Sequence, residues 1–203
     1  NAVSAKTKVP ASETPESADP AEAALARIGT AVAKYWTTKR CPNLVVEALE
    51  CHGGPGYIEE SIMPRLYREA PINSIWEGSG NVMGLDVLRA MGREAEAIPA
   101  VMAELDKARG NHPNLDQVID DLRDELGDQV ELEHRMRMVT EIMALALQGA
   151  LLTRSGAPEV AEAFCATRLA RRYRGAFGTL PKGLDIDAII SRALPKASGM
   201  TVG

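Results

Sequence analysis

The sequence has few aromatic residues, few cysteines and no excess of positive charge. Aromatic side chains make up 4% of its 203 residues, and strands draw on aromatic and β-branched residues. Their scarcity beside plentiful alanine and leucine predicts helices rather than sheets. The formal net charge is −5 at pH 7, which excludes a global field that would attract nucleic acid. Any such binding therefore needs a local basic patch.

The three cysteines, Cys41, Cys51 and Cys165, are odd in number and lack metal-ligand spacing. This usage predicts reduced thiols in a cytoplasmic protein. The three histidines are scattered along the chain without a carboxylate or cysteine at ligand spacing, so we predict no metal site. No apolar run is long enough to span a bilayer and no signal peptide is present, so we expect no membrane partner. The first residue is Asn rather than Met, from which we expect a fragment or a processed chain.

Residues 1–20 are rich in Ser, Thr, Pro, Glu and Ala, and we interpret them as a flexible loop or tether. Asp19 and Pro20 have the pattern of an N-cap followed by proline at the first helical position. Beyond them apolar residues recur at helical spacing, and no segment alternates with period two. Pro42 is expected to kink the first helix and Pro64 to interrupt the short second one. Helices are predicted within 21–51, 59–69, 76–91, 98–105, 115–126, 130–152, 158–173 and 185–194. The pattern as a whole predicts an all-α helical bundle.

The run Gly53-Gly54-Pro55-Gly56 leaves two interpretations open. Glycines let backbone N–H groups approach a phosphate closely. A dinucleotide-binding loop, however, must follow a strand, and this one follows a predicted helix. The alternative is the C-cap turn of that helix, which the sequence alone favours.

Four segments occur in an order that is typical of one known family. They are Lys34-Tyr35-Trp36, Glu47-Ala48-Leu49-Glu50-Cys51-His52-Gly53-Gly54-Pro55-Gly56-Tyr57, Pro64-Arg65-Leu66-Tyr67-Arg68-Glu69-Ala70 and Ile75-Trp76-Glu77-Gly78-Ser79. Together they resemble the end of the acyl-CoA dehydrogenase fold: a helix, a Gly-Gly-x-Gly turn, an Arg-Asp/Glu step, then an aromatic-Glu-Gly-Thr/Ser entry into the next helix. Within that family, residues 73–81, 85–89, 164–168 and 177–181 are similar to the AidB-type adaptive-response (DNA alkylation response) flavoproteins. The resemblance covers nearly the whole chain after Pro20.

The resemblance implies a division of the chain. Residues 21–93 would be the end of the C-terminal helical domain of an acyl-CoA dehydrogenase, and residues 94–203 a helical extension. It also implies FAD as cofactor, acyl-CoA as ligand and a homotetramer built as a dimer of dimers. The N-terminal half of such a protein, with the β-barrel that holds the flavin ring, would precede Asn1. We therefore expect this chain alone to be inactive and not to hold FAD tightly.

Glu77 matches the glutamate that serves as catalytic base in straight-chain members of the family. The base takes the α-proton of the thioester while hydride leaves the β-carbon for the flavin. It works best with a raised pKa in an apolar, water-poor pocket. The structural alternative is a glutamate that only favours a helix start. Branched-chain members carry the base upstream. Trp76 stands where many relatives have Tyr and would narrow the acyl pocket, so dehydrogenation of isovaleryl-CoA-like substrates would be weak or vestigial.

The resemblance also carries over positions that contact FAD. They are Glu50, Gly53, Gly54, Ser74, Trp76, Gly78, Ser79 and Asn81. The Glu50 to Gly54 segment resembles the stretch that meets the adenosine diphosphate of a neighbouring subunit's FAD. Relatives often have Gln in place of Glu50, and a carboxylate there would repel a diphosphate.

A basic cluster near the end of the chain is the candidate contact for double-stranded DNA. Its members are Arg168, Arg171, Arg172, Arg174 and Lys182, with Tyr173 and Phe177 interleaved. Such a cluster can neutralise phosphates, and the AidB-type branch is thought to bind DNA through its C-terminal extension. The bland alternative is a solvated helix face. The acidic stretch 116–133 would repel DNA unless it faces away.

Three functions stay open at this level. The first is an FAD-containing alkylation-response protein with weak dehydrogenase chemistry and DNA affinity. The second is an ordinary acyl-CoA dehydrogenase of fatty or branched acyl-CoA metabolism, whose tail only mediates oligomer contacts. The third is a non-catalytic helical oligomerisation module.

Overall fold

The computed structural model describes residues 19–170 and 175–195 of the chain. Within these ranges every regular element is a helix, which confirms the all-α prediction. The α-helices are α1 (Pro20–Cys51), α2 (Gly54–Tyr57), α3 (Met63–Glu69), α4 (Gly80–Arg93), α5 (Ala97–Asp106), α6 (Pro113–Gly127), α7 (Leu132–Arg154), α8 (Pro158–Thr167) and α9 (Ile186–Ala193). A short 3-10 helix, Ala70–Ser74, joins α3 to the loop before α4. The predicted tether lies almost entirely outside the described residues.

The two ends of α1 follow their local sequence signals. The Asp19 carboxylate accepts a hydrogen bond from the backbone N–H of Ala21 at 3.0 Å, and Pro20 occupies the first turn, as predicted. The helix runs through Pro42 to Cys51. It ends where the Gly53 N–H donates to the Glu50 carbonyl oxygen at 3.0 Å, with Gly53 at a φ of 61°. Gly53 therefore terminates α1, as the C-cap interpretation predicted, whereas Gly54, Pro55 and Gly56 begin the short helix α2.

Two predicted boundaries were wrong. Pro64 does not interrupt a helix but stands in the first turn of α3, where its missing N–H has no intrahelical partner to lose. Helix α8 ends at Thr167 instead of continuing to 173. Turning there allows the buried Leu169 side chain to pack over Gly149 of α7.

Helices α1 and α4 run antiparallel, because rising residue numbers on one meet falling numbers on the other. The Arg27 guanidinium donates two hydrogen bonds of 2.9 Å to the Asp86 carboxylate, whereas Lys39 packs over Gly80 at the start of α4. The hydrogen bond from Arg27 holds the pKa of the Asp86 carboxyl below its ordinary value, against the opposing effect of desolvation.

Helix α7 is the centre of the core. Met136, Val139 and Met143 are at most 1% exposed, and the helix contacts α1, α4, α5, α6 and α8. The backbone of Met136 lies so close to Gly84 that a Cβ there would sit 3.4 Å from it. By length and composition alone α7 could cross a membrane, but 44% of its most apolar window is buried inside the bundle. Charged residues crowd its first turns and leave a long apolar remainder, as in many core helices of globular proteins.

Candidate functional site

The loop between the 3-10 helix and α4 carries the residues of the aromatic-Glu-Gly motif. Glu77 has a φ of 53° and Gly78 a φ of 114°, so both lie in the left-handed region. For a residue with a side chain this conformation costs on the order of 1 kcal/mol, and it persists only where the surroundings impose it. Backbone strain of this kind concentrates at active sites and ligand-binding loops.

Helix α1 imposes this conformation on the loop. The Lys34 ammonium donates a hydrogen bond to the Trp76 carbonyl oxygen at 2.8 Å, one residue before Glu77. At Gly80 a Cβ would lie 2.6 Å from Cε of Lys39 and 3.5 Å from the ring of the buried Tyr35, so a side chain would displace Lys39. The loop is therefore fixed against one side of α1, and the strained glutamate sits between its two anchor points.

The Glu77 carboxylate is exposed to solvent. Within the described residues it forms no hydrogen bond or ion pair. Its neighbours Ile75 and Trp76 are 62% and 58% exposed. The apolar, water-poor pocket expected around Glu77 is thus not formed by the described part of this chain, because these large side chains face outward. They are available to pack against groups that other parts of a larger assembly supply.

The predicted cofactor residues fall into two separate groups. Glu50, Gly53 and Gly54 lie at the C-terminal end of α1, whereas Ser74 to Asn81 lie beside its middle. Sixteen residues separate Lys34, which holds the loop, from Glu50, and this corresponds to roughly 24 Å along a helix. The two groups therefore lie apart along the surface of α1 and do not surround one common pocket.

The second group includes the N-terminus of α4. Ser79 is the N-cap residue, yet its side chain makes no capping hydrogen bond. An exposed hydroxyl next to first-turn N–H groups at a helix N-terminus fits an anionic phosphate group. At Asn81, two residues further on, the carboxamide oxygen accepts a hydrogen bond from Arg137 of α7 at 3.3 Å.

The basic cluster is only partly described: Arg171, Arg172 and Arg174 lie outside the described residues. The Arg168 guanidinium lies 5.0 Å from the centre of the Phe177 ring, and Lys182 is exposed. Arg40 of α1 lies 4.6 Å from the same ring. Arg40 is thus an arginine from α1 that lies beside the same ring as Arg168 of the basic cluster.

The sequence did not predict the roles of Lys34, Arg40 or Arg137. Lys34 stands in the Lys-Tyr-Trp segment quoted for the resemblance, which was the one available signal. Nothing in the local sequence indicates that Arg40 reaches Phe177 or that Arg137 reaches Asn81. No cluster of three or more potential metal-ligating side chains occurs among the described residues.

Residues 11–92 match the family model described as the acyl-CoA dehydrogenase C-terminal domain. AidB of Escherichia coli (strain K12), whose name carries the acyl-CoA dehydrogenase designation, is 39% identical over 155 residues, which are 76% of this chain and 28% of AidB. Acyl-CoA dehydrogenase family member 11 of Caenorhabditis elegans is 30% identical over 165 residues, 81% of this chain and 25% of that protein.

A solved structure gives the same result. The Caenorhabditis elegans protein ACDH-11, in complex with C11-CoA, superposes with a TM-score of 0.63 at 27% identity. That superposition covers 72% of this chain and 30% of the other. The chain therefore spans less than a third of the length of these relatives.

Proposed function

We propose, for a chain that belongs to the acyl-CoA dehydrogenase family over residues 11–92, that it forms the C-terminal helical part of an FAD-dependent protein of the alkylation-response branch. In this proposal Glu77 is the base that removes the α-proton of an acyl-CoA thioester. The observation that carries it is the left-handed backbone at Glu77, clamped by Lys34 at the preceding carbonyl. A glutamate that only favoured a helix start would not need a strained backbone.

FAD, when bound, accepts the hydride that leaves the β-carbon. The residues of this chain fit one edge of that cofactor. Ser79 and the first turn of α4 would hold an anionic part of it, with Ser74, Trp76, Gly78 and Asn81 lining the same loop. Glu50, Gly53 and Gly54 would meet the diphosphate of a neighbouring subunit's FAD, which agrees with their separation from the loop. Glu50 is the one member whose charge opposes that role.

The remaining parts of the site would come from the upstream half of the protein and from other subunits of a cytoplasmic homotetramer. Enclosure by those parts would exclude water from Glu77 and give its carboxylate the apolar surroundings in which a general base works best. Trp76 would then take up space beside the acyl group. We expect weak turnover, with short branched substrates of the isovaleryl-CoA type favoured.

The test is a Glu77→Gln variant of the full-length gene product that carries this chain. Flavin reduction by isovaleryl-CoA, followed by its absorbance, should fall by about 100-fold or more, while FAD content and acyl-CoA affinity stay unchanged. Brisk wild-type turnover on many acyl-CoA esters would favour an ordinary dehydrogenase. Absence of flavin from the wild type would favour an oligomerisation module. Equal rates for the variant and the wild type would place the base elsewhere.

A second proposed function is binding of double-stranded DNA by the extension. It is supported by partial ion pairing in the acidic stretch 116–133, where arginines pair with Asp120, Glu125 and Asp128. Arg109 bonds to Asp120 at 2.5 Å, and Arg135 pairs with Glu125 and Asp128. The repulsion that this stretch would exert on a phosphate backbone is correspondingly reduced. The basic cluster would make the phosphate contacts.

Retardation of a duplex by the chain, measured at several salt concentrations, tests this function. Affinity should fall steeply with salt, and Arg171→Ala with Arg172→Ala should weaken it and flatten the salt dependence. Lys107→Ala, in which an exposed lysine paired with Glu104 is lost, is the matched control. An affinity that changes neither with salt nor with the double substitution would refute DNA binding through this cluster.

A further inference from the structure

Two cavities adjoin along α1, on a side that the proposed chemistry does not use. The first has a volume of about 430 Å³ between α1, α5 and α7, and the second, of about 470 Å³, lies between α1, α7, α8 and Phe177. Trp36, Thr37 and Gln148 line both, so the cavities meet at these three residues. Trp36 follows Lys34 by two positions, about 200° around a helix. The paired cavities therefore lie across α1 from the loop that carries Glu77.

The first cavity is apolar. Its walls are the side chains of Leu25 and Val32 on α1 and of Leu147 and Leu151 on α7, and small residues between them leave the space open. Glu104 is its one charged lining residue, and it is engaged by Lys107 and Arg154. A hydrocarbon chain gains free energy on entering such a space in proportion to the area it removes from water.

The second cavity is lined by two positively charged arginines that lie close to an aromatic ring. Arg40 and Arg168 both line it, and both guanidinium groups lie within 5.0 Å of the centre of the Phe177 ring. Nη2 of Arg40 is buried and has no hydrogen-bond partner among the described residues. A buried donor without a partner is costly, and for a charged group the cost is larger still. An anionic acceptor in this cavity would remove that cost once a small rotation of the guanidinium turned this group toward it.

We propose that the two cavities form one binding site for a long-chain aliphatic carboxylate. The hydrocarbon chain occupies the first cavity, and the carboxylate occupies the second, where it accepts hydrogen bonds from Arg40. Planar guanidinium and carboxylate groups pair through two parallel hydrogen bonds. An alcohol or the methyl end of a hydrocarbon cannot form such a pair. Each cavity alone falls within the range of about 300–1,000 Å³ that is typical of small-molecule sites.

The chain has its own optical reporter for this site. Its two tryptophans are Trp36 and Trp76, and Trp36 stands where the cavities meet. The exposed Trp76 can be replaced by Phe, which leaves Trp36 as the single source of tryptophan fluorescence. The Trp76→Phe form of the 203-residue chain is titrated with dodecanoate, kept below the concentration at which it forms micelles.

We expect a saturable change in Trp36 emission with one dodecanoate per chain. Dodecanol, of the same length but uncharged, should bind at least about tenfold more weakly, because the charge-assisted hydrogen bonds to Arg40 are missing. Inorganic phosphate alone should bind more weakly still, because it lacks the apolar chain. Equal binding of dodecanol and dodecanoate would overturn the role of Arg40. Phosphate binding as tight as that of dodecanoate would overturn the role of the first cavity.

Two substitutions locate the site. Arg40→Met should lower dodecanoate affinity by about tenfold or more and leave dodecanol unaffected. Leu147→Trp, which adds a tryptophan and is therefore titrated by calorimetry, should fill the first cavity and abolish binding of both. Arg65→Met, at an exposed arginine paired with Glu69 on α3, is the matched control and should change nothing.

Circular dichroism shows whether each variant keeps its helices, and the contrast between dodecanoate and dodecanol in the parent chain needs no variant at all. Dodecanoate binding that survives both Arg40→Met and Leu147→Trp would place the ligand elsewhere. A chain that self-associates through this face, with a dimer that Leu147→Trp disrupts and dodecanoate does not, would identify a second copy as the occupant and overturn the proposal.

Discussion

The region from Pro20 to Arg93 and the extension that follows it use their apolar side chains differently. The first region leaves many of its large ones exposed, among them Leu44, Tyr57, Ile62, Ile75 and Trp76. The extension exposes fewer and forms most of the core: Val101, Leu105, Leu115, Ile119, Leu122, Val139 and Met143 have no exposed surface. An exposed apolar surface of this extent usually marks a place where another structure packs. The extension thus holds the larger share of the fully buried large side chains, and the first region presents a surface on which another structure can pack.

Removing apolar side chains from each region tests that difference most strongly. Met143→Ala should lower the free energy of unfolding of the chain by about 2–5 kcal/mol, because it leaves a cavity in the core. Ile75→Ala should change it by less than about 0.5 kcal/mol, because the side chain is already in water. Urea unfolding of the two variants gives both numbers. Similar losses for the two would show that the first region is as tightly packed as the extension.

The contact between the regions can be broken at a glycine. Gly84→Leu should destabilise the chain by about 1–3 kcal/mol, since its side chain would push α4 away from the backbone of α7. Gly92→Leu on the same helix is the control, because nothing lies within 4 Å of its would-be Cβ. That change should stabilise the helix by about 0.5–1 kcal/mol through higher helix propensity. Thermal melting of both variants measures these changes. A Gly84→Leu chain as stable as wild type would show that the contact between α4 and α7 is loose.

The anchor of the Glu77 loop should matter locally rather than globally. Lys34→Met should leave the unfolding free energy within about 0.5 kcal/mol of wild type, because the hydrogen bond that it loses is exposed to solvent. Hydrogen exchange at the Trp76, Glu77 and Gly78 amides should become faster as the loop loses its hold. Lys107→Met makes the matched change in the extension and should leave these amides alone. Unchanged exchange in Lys34→Met would mean that the loop keeps its shape without α1.

The smallest expected effect concerns pH. Because the folded pKa of Asp86 is lowered, its ionised form is favoured by folding. The stability this provides is present above the ordinary pKa near 3.8 and is lost as pH falls through the lowered value. Asp86→Asn should cost a few tenths of a kcal/mol at pH 7, since the pair with Arg27 is partly exposed, and nothing once the carboxyl is protonated. Stability curves from pH 2 to 7 for the two forms should converge in acid. Curves that stay parallel would show that this ion pair does not contribute to the pH dependence of stability.

Structural features set by neighbouring residues could be predicted from the sequence. Features that join residues far apart in the chain could not. The start of α1 at Asp19 and its end at Gly53 are local signals, and both boundaries follow from them. The hydrogen bond from Lys34 to the Trp76 carbonyl spans 42 residues, and that from Arg137 to Asn81 spans 56. No periodicity or cap specifies such a pair, because each depends on how whole helices pack.

The motif around Glu77 shows the same limit within one segment. Its letters were enough to identify the family, whereas the exposure of its carboxylate depends on which surfaces surround it. Trp76 was expected to narrow a pocket, and it stands 58% exposed on the described chain. That expectation stays a prediction about a larger assembly.

The left-handed backbone at Glu77 also affects which substitutions this position can accept during evolution. Glycine adopts that backbone without strain, so Glu77→Gly would gain on the order of 1 kcal/mol from the relief of strain, less the entropy that glycine loses on folding. A single base change separates glutamate codons from glycine codons. A lineage in which the carboxylate had lost its use would have this gain within one mutational step. In the proposed role of Glu77 as base, use of its carboxylate is what would keep glutamate at this position.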